Sequence, residues 1–433
     1  MEIRDPVHGS IHISDEEGEI IRADFFQRLR SIKQLGFSEY VFPGATHTRF
    51  IHSIGVMHIA GKAFDKLLGH KLFNKDAQRL RQTLKLACLL HDIGHAPLSH
   101  STETVMPALK DLEIPKRFLA PNEDMNRQAT HEDYTIKAIA DSSFSLSFRS
   151  IEAKQSVDRK MVADLIVGRT DSPDYFTLEG VNYFPILSQL VSSEMDCDRM
   201  DYLLRDSYFC GVSYGQYDLD WLIDNLEACI VNDTAYLGIN ERAVVTFDDF
   251  LLSRYHMFIM VYFHYRSVCL EQLLFKYFAS SHGEYRIPAD IEEYIHHDDH
   301  YLMKILRASP NNYAQRIVKN QIPQKIYESF NEKQLKQLNK AQKFLEEHNI
   351  DFIRCSSASR LSKYYTESET PEEFSMKVVR KTFGRKEKDI KDINKATDLF
   401  NKFSKSHAIS RLHCDMDNLT PEQKSEVLKL VEK

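Results

Sequence analysis

Apolar side chains recur at helical spacing along most of residues 1–280, with shorter alternating stretches between them. The run LKLACLL at 84–90 predicts a buried helix that ends before Gly94 and Pro97, because both residues disfavour its continuation. Upstream, Ile54, Met57 and Phe64 recur along one face of another helix. These patterns predict a mainly α-helical fold.

The same patterns predict four further elements. Residues 2–13 read as a short hairpin, and residues 228–247 as a second hairpin that turns at Asn232-Asp233. Residues 16–34 predict one helix, and residues 250–278 predict a long helix that is dense in aromatic side chains. After residue 285 the composition becomes more polar and predicts helices, with one strand near 351–355.

Composition and charge narrow the class of protein. The chain has 433 residues, of which 27% are charged and 42% hydrophobic, as in ordinary globular proteins. A net charge of −7 argues against a protein whose main task is holding nucleic acid. The seven cysteines are scattered without a Cys-x-x-Cys pair, which predicts reduced thiols in a cytosol. Without a signal-like start or an 18-residue apolar stretch, we expect a cytoplasmic protein that does not cross a membrane.

The candidate chemistry centres on residues 89–100, LLHDIGHAPLSH, where the adjacent His91 and Asp92 end a buried helix. Buried histidines are often only hydrogen-bonded core residues. However, His52 opens the preceding helix, and Asp198 lies on a later helix with carboxylates and tyrosine at steps of four. Two histidines and two carboxylates from three helices make a site suited to a divalent transition metal with open positions for water.

The order His52, His91-Asp92, Asp198 is similar to the metal-binding signature of the HD superfamily of phosphohydrolases. Four longer strings closely resemble the deoxynucleoside triphosphate (dNTP) triphosphohydrolases of that superfamily: RDPVHG at 4–9, FQRLRSIKQLG at 26–36, VFPGATHTRFIHSIG at 41–55 and DRMDYLLRD at 198–206. This resemblance implies an HD-domain helical core with small β-hairpins at 1–285. It leaves 286–433 as a mostly helical C-terminal lobe for oligomerisation or regulation. It also implies Mn, Fe, Zn or Ni on His52, His91, Asp92 and Asp198, with Mg on the substrate phosphates.

The resemblance also implies the residues that bind a dNTP. Gln34 and Leu35 match positions that line the deoxyribose, where crowding would reject a ribose 2′-hydroxyl. The other matching positions contact phosphates or sugar: Arg49, Arg199, Tyr202, Asp206, Arg254 and Tyr262. The alternatives are ordinary, because Gln34 could be a polar cap, Arg49 a surface ion pair and the aromatic residues part of the core.

Four residues are candidates for proton transfer beside the metal: His95, His100, Glu103 and His131. A histidine can protonate a leaving oxygen near neutral pH, as departure of a nucleoside 5′ oxygen requires. The string THE at 130–132 resembles the family directly, and Glu103 stands where relatives carry an aspartate.

Members of this family commonly form homodimers or homotetramers, and some are activated by nucleotides bound between subunits. Gln27 and Arg30 match the activator site, but Arg22 replaces an aspartate that reads guanine, so guanine activation does not carry over. The run at 377–391 holds seven Lys or Arg against two acids. Such a run is usually a solvent-exposed face of the protein. The alternative is a functional one, a phosphate-binding surface for a nucleotide or single-stranded nucleic acid.

Three hypotheses follow from the sequence. In the leading one, water activated at the metal attacks the α-phosphorus of a dNTP and releases deoxynucleoside and inorganic triphosphate. The second is an HD phosphatase or phosphodiesterase that acts on another nucleotide. The third is a nucleotide-responsive, nucleic-acid-binding protein in which turnover is secondary.

Overall fold

The computed structural model describes residues 1–281, 283–359, 376–380, 389–397, 399 and 407–431. Helices predominate there, which confirms the predicted mainly α-helical fold. The middle of the basic run, residues 381–388, lies outside the described residues. Within the described ranges, no helix has both the length and the apolar character needed to cross a bilayer.

The α-helices are, in chain order: α1 Asp15–Arg22, α2 Asp24–Gln27, α3 Arg49–Leu68, α4 Lys75–Leu90, α5 His131–Ala140, α6 Arg149–Gln155, α7 Arg159–Val167, α8 Phe184–Val191, α9 Cys197–Cys210, α10 Leu219–Asp224, α11 Val244–Met257, α12 Tyr265–Ser280, α13 Ile291–Tyr294, α14 Asp299–Ala308, α15 Asn312–Val318, α16 Glu332–Glu347 and α17 Pro421–Val431. Short 3₁₀ turns connect several of them.

The strands are β1 Glu2–Asp5, β2 Gly9–His12, β3 Thr177–Leu178, β4 Val181–Asn182, β5 Leu226–Val231, β6 Thr234–Asn240, β7 Gln324–Ser329, β8 Phe352–Ser359, β9 Lys377–Arg380, β10 Asp389–Asp392 and β11 His407–Cys414. β1 and β2 form the predicted N-terminal hairpin. β5 and β6 form the second hairpin, and β3, β4, β9 and β10 extend it into a six-stranded sheet. β7, β11 and β8 form a separate antiparallel sheet with β11 in the centre.

Helices α3, α4 and α9 pack together at the centre of the fold. Most of α3 is buried, and α4 buries the apolar run Leu84–Leu90 that the sequence identifies. Helix α3 meets α9 closely at Gly55, where an added Cβ would lie 2.0 Å from Asp201 Oδ1. Glycine therefore lets the two helices that carry His52 and Asp198 come into direct contact.

The single helix predicted over 16–34 is wrong beyond Arg22. Ala23 is extended, with φ −65° and ψ 139°, and separates α1 from the short helix α2. The reason is that Ile20, Ile21, Phe25 and Phe26 are all buried. On one continuous helix their directions would span about 240°, too wide for one buried face.

The long helix predicted over 250–278 is also interrupted. Helix α11 passes into a π-helical turn, Phe258–Tyr262, in which the Phe263 N–H donates to the Phe258 carbonyl at 2.8 Å. His264 then caps α12 by accepting the Arg266 N–H at 3.3 Å. In the hairpin predicted over 228–247 the two strands are confirmed, but its last residues already belong to α11.

The C-terminal region contains more strand than the sequence predicts. The strand expected near residues 351–355 is present as β8, and it pairs with β11 in the three-stranded sheet. Helices α16 and α17 cover this sheet and share a second, small apolar core with it, formed by Leu338, Ala341, Leu345, Leu412, Cys414, Leu419 and Val427. Residues Tyr285–Ile317 contribute to the main core instead. The division of the chain at about residue 285 stays a prediction.

Candidate active site

The structure brings His52, His91, Asp92 and Asp198 together at one point between α3, α4 and α9. Asp198 Oδ1 lies 2.9 Å from His52 Nε2 and 3.5 Å from His91 Nε2. The Asp92 carboxylate lies 3.7 Å from His52 Nε2 and 3.3 Å from His91 Nε2. The two ring nitrogens and the Asp198 oxygen all lie within 4.8 Å of one another, as the ligands of a single ion do.

The second nitrogen of each ring fixes which nitrogen faces this point. His91 Nδ1 donates to the Cys88 carbonyl at 2.8 Å, and His52 Nδ1 bonds the Asp201 carboxylate at 2.7 Å. Nε2 of both rings is buried and makes no hydrogen bond of normal geometry within the described residues. Histidines that bind metals characteristically hold their other nitrogen in this way. The donor set therefore fits a divalent cation.

Charge around the site also favours a cation. Burial opposes protonation of His52, but the neighbouring carboxylates of Asp198 and Asp201 outweigh it and raise its pKa to about 9. Burial likewise opposes protonation of His91, while the charge of Asp92 outweighs it and raises its pKa to about 10. Both rings thus sit in a field that attracts positive charge, and a divalent ion would occupy the place of those protons.

Asp201 supports His52 from behind. Arg205, four residues further along α9, donates to Asp201 through Nε at 2.7 Å. Asp201 also bonds His8 Nε2 at 2.6 Å, and Arg205 reaches Asp5 at 2.8 Å. The N-terminal hairpin is thereby connected to the residue that orients His52.

The loop after α4 is held in an unusual backbone conformation. Leu98 and Ser99 have φ values of 54° and 59°, a left-handed region that non-glycine residues seldom adopt. Asp299 holds the loop by accepting the N–H groups of Leu98, at 2.7 Å, and Lys33, at 3.0 Å. Ser99 Oγ accepts from Arg49 Nε at 3.0 Å. Such strain persists where surrounding contacts determine it, commonly at functional sites.

The four proton-transfer candidates also lie together. His131 Nδ1 lies 2.5 Å and His100 Nδ1 3.2 Å from Glu103 Oε1. The rings of His95 and His131 are stacked with centroids 3.8 Å apart, and His95 Nε2 lies 3.3 Å from Asp92. Burial opposes ionisation of Glu103, but hydrogen bonds to His100 and His131 outweigh it and hold its pKa well below its usual value. A carboxylate is therefore fixed beneath His131.

Gly94 explains how α5 brings His131 to this place. An added Cβ at residue 94 would lie 2.2 Å from the His131 carbonyl oxygen. Thr135 completes the contact by accepting the Gly94 N–H at 3.0 Å and donating to the His91 carbonyl at 3.1 Å. The start of α5 is thus fixed directly on the loop that carries His91.

A cavity of about 470 Å³ opens beside the site. The predicted site residues that line it are Gln34, Leu35, Arg49, His91, Asp92, His95, His100, His131, Asp198, Arg199, Tyr202, Asp206 and Tyr262. His52 and Glu103 lie behind its wall, and Arg254 lies further back, bonded to Glu194. The cavity therefore collects these residues from six separate segments of the chain.

Hydrogen bonds and ion pairs hold the other polar side chains of the cavity. Asp206 accepts from Tyr262 at 2.7 Å and bonds His47 at 2.7 Å. Arg49 pairs with Asp92, and Arg199 pairs with Asp196. The side-chain oxygen of Gln34 is buried without a hydrogen-bond partner among the described residues, so a ligand group could bond it.

Residues 49–205 match the family model described as the HD domain. The chain is an HD-domain protein. An uncharacterized protein of Mycoplasma genitalium is 33% identical over 296 residues, which cover 67% of this chain and 61% of that protein. Its homolog in Mycoplasma pneumoniae is 32% identical over 62% of this chain. This chain thus spans about three fifths of the length of each of these two relatives, 61% and 57% respectively.

Two relatives with named activities also match the HD-domain chain. The deoxynucleoside triphosphate triphosphohydrolase SAMHD1 homolog of Dictyostelium discoideum is 28% identical over 76% of this chain and 60% of its own length. SAMHD1 of Homo sapiens is 29% identical over 60% of this chain and 41% of its own.

Solved structures share the fold of the HD-domain chain. A hypothetical protein from Aquifex aeolicus superimposes with a TM-score of 0.73 at 23% identity and covers 100% of both chains. A phosphohydrolase from Bacteroides thetaiotaomicron has a TM-score of 0.64 at 24% identity, covering 96% of this chain and 99% of its own.

Several residues that shape the HD site were not predicted from the sequence. Asp201 stands three residues after Asp198 on α9, a spacing that could have identified it as the partner of His52. His47, Glu194 and Asp299 carry no such signal, because each meets its partner only through the tertiary fold. Asp196 pairs locally with Arg199, three residues further along the chain.

Proposed function

We propose that this HD-domain chain hydrolyses dNTPs to deoxynucleoside and inorganic triphosphate in a metal-dependent reaction. The observation that carries the proposal is the composition of one cavity. His91, Asp92, Asp198, His131, Gln34 and Asp206 line it, and His52 and Glu103 contact these residues from behind its wall. Residues for binding phosphates, protonating a leaving oxygen and recognising a sugar thus face one volume.

His52, His91, Asp92 and Asp198 would hold the divalent ion, which we propose is Mn, Fe, Zn or Ni, while Mg accompanies the substrate phosphates. Such an ion supplies a Lewis acid that polarises the phosphate and lowers the pKa of water. Asp201 and the Cys88 carbonyl keep the ring nitrogens of His52 and His91 directed at it.

Arginines would neutralise the phosphate chain. Arg49 and Arg199 line the cavity and are each paired with a carboxylate, which keeps their guanidinium groups in place. Arg254 stands one layer back against Glu194. We propose that it reaches the terminal phosphate by exchanging Glu194 for phosphate oxygens. Planar guanidinium groups bind phosphate oxygens in pairs and so fix orientation as well as charge.

His131 would donate a proton to the departing 5′ oxygen. Glu103 bonds its Nδ1, so the other ring nitrogen is the one available to the substrate. The stacked ring of His95 limits rotation of His131, and His100 forms a second bond to Glu103. General acids held in this way typically accelerate a reaction by about 10²–10⁴-fold.

The deoxyribose would lie against Gln34, Leu35 and the Tyr262–Asp206 pair. The unpaired side-chain oxygen of Gln34 could accept from a sugar hydroxyl, and Asp206 is held by Tyr262 and His47 where a 3′-hydroxyl could donate to it. Tyr202 closes the pocket with its ring 6.2 Å from that of Tyr262. The names of the Dictyostelium and human relatives support this choice of substrate.

The test incubates the purified full chain with each dNTP and with Mg²⁺, Mn²⁺ or Fe²⁺, and then separates the products. We expect deoxynucleoside and tripolyphosphate in equal amounts. Orthophosphate together with a diphosphate would contradict the proposal and favour an HD phosphatase. Asp65→Ala is a matched control, since Asp65 lies on the same helix as His52 but pairs only with Arg81 at the surface.

The third hypothesis is tested by the same preparation. If no nucleotide is cleaved with any metal, while single-stranded nucleic acid binds with strong salt dependence, the basic run at 377–391 becomes the functional surface. We also propose a homodimer or homotetramer with a nucleotide activator between subunits. Light scattering with and without each nucleotide tests this assembly.

A further inference from the structure

A second cluster of metal-binding side chains lies away from the HD site. Cys269 on α12, Cys355 on β8 and His413 on β11 place two sulfurs and one ring nitrogen within 4.8 Å of one another. The three residues are 0%, 1% and 0% exposed. We call these three residues the thiol cluster. They come from the helical core and from two strands of the C-terminal sheet, so no local spacing brings them together.

The hydrogen bonding of His413 distinguishes this cluster from ordinary packing of buried thiols. His413 Nδ1 lies 3.3 Å from the Pro323 carbonyl oxygen, which can only accept, so this nitrogen carries the proton. Nε2 then bears the lone pair, and it is buried without a hydrogen-bond partner in the part of the chain that the structure describes. This is the arrangement that His91 shows in the HD site, and it is typical of an imidazole that binds a metal.

The sulfurs supply the remaining donors. Neither Cys269 nor Cys355 is in a disulfide. Two thiolates and a neutral imidazole are preferred donors for zinc.

Charge balance favours the same ion. Two thiolates carry a charge of −2, which a divalent ion cancels, so the completed site is neutral. A neutral site suits so buried a place, because an uncompensated charge there would be unfavourable. We propose that Cys269, Cys355 and His413 bind a structural zinc ion that fixes the C-terminal sheet to α12.

The test replaces zinc with Co²⁺ in the full chain, because a thiolate-to-cobalt charge-transfer absorption appears only when sulfur binds the metal. The HD site offers nitrogen and oxygen donors and gives no such band. We expect one thiolate-bound cobalt per chain. Cys355→Ala should reduce the band at least about tenfold. The matched control is Cys229→Ala, which removes another buried cysteine outside the cluster and should leave the band unchanged.

A second variant keeps the proposal testable if Cys355→Ala does not fold. His413→Cys retains a donor at the same position, so the metal should stay bound and the thiolate band should become stronger. Mass mapping after alkylation of the freshly purified wild-type chain shows whether Cys269 and Cys355 are free thiols or form a disulfide. A Cys269–Cys355 disulfide without bound zinc, or free thiols that give no cobalt band, would overturn the proposal.

Discussion

The HD site and the thiol cluster use the same device on their histidines. His91 and His413 each donate a hydrogen bond through Nδ1 to a backbone carbonyl, which leaves Nε2 of each ring for an ion. The remaining donors differ. The HD site adds carboxylates and is surrounded by arginines, whereas the thiol cluster adds two sulfurs.

Access to the two places differs as well. In the HD site, the side chains of His91 and Asp198 are 13% and 31% exposed and face a cavity of about 470 Å³. All three members of the thiol cluster are sealed from solvent. An ion that a reactant can reach serves chemistry, while an enclosed ion only holds segments of chain together. The comparison teaches that enclosure and donor type, more than the histidine geometry, separate the two roles.

The largest expected effect comes from removing HD ligands. His91→Ala combined with Asp92→Ala should reduce dNTP hydrolysis by at least about 10³-fold, because the ion loses two of its four donors. Product release by chromatography measures the loss. Circular dichroism should show unchanged helix content, and the thiolate-to-cobalt band should persist. Loss of that band would show that the two sites are not independent.

A chelator should remove metal from the HD site much faster than from the thiol cluster. EDTA should abolish hydrolysis within minutes, and Mn²⁺ should restore it, because the HD site is open to solvent. Zinc in the thiol cluster should remain bound under the same treatment, since its ligands are enclosed. Metal analysis of the desalted chain is the measurement. Simultaneous loss of zinc and activity would contradict the proposed enclosure.

Removal of the proton donor should have a smaller effect. We expect His131→Ala to lower kcat by about 10²-fold or more with little change in KM, because the proton is needed only as the leaving oxygen departs. Glu103→Gln should lower kcat less, since it removes only the group that holds the ring. Steady-state kinetics on one dNTP tests both. An unchanged kcat in His131→Ala would exclude it as the acid.

The smallest effect on activity should come from the thiol cluster. Cys355→Ala should lower the apparent Tm by about 5–10 °C through loss of a metal-held connection. At low temperature kcat should stay within about threefold of the wild-type value, because no member of the cluster lines the cavity. Differential scanning calorimetry with parallel kinetics measures both quantities, and Cys229→Ala again serves as the control. A large loss of kcat in a fully folded Cys355→Ala variant would show that the cluster takes part in catalysis.

Much of the HD site was predictable because its signal is local. His91 and Asp92 are adjacent at the end of an apolar helix, and Asp198, Tyr202 and Asp206 follow helical spacing. His52 stands at the start of the preceding predicted helix. The family resemblance supplied the arginines, and the structure places them at or behind the cavity wall, with Arg254 deepest. The roles of these residues stay predictions.

The thiol cluster and the interrupted helices could not be predicted in this way. Cys269, Cys355 and His413 lie on a helix and two strands that meet only when the C-terminal sheet forms. The break at Ala23 and the π turn before His264 depend on which aromatic side chains the core can accept, and single-sequence periodicity does not encode that.

The π turn at Phe258–Tyr262 makes this helical segment less regular, but it directs Tyr262 toward Asp206. A π turn behaves as a one-residue insertion in an α-helix. Deleting one residue there would give a smoother helix but rotate Tyr262 by about 100°, away from Asp206. A variant without this residue would therefore lose the Tyr262–Asp206 contact, and with it the proposed sugar pocket, in exchange for a more regular helix.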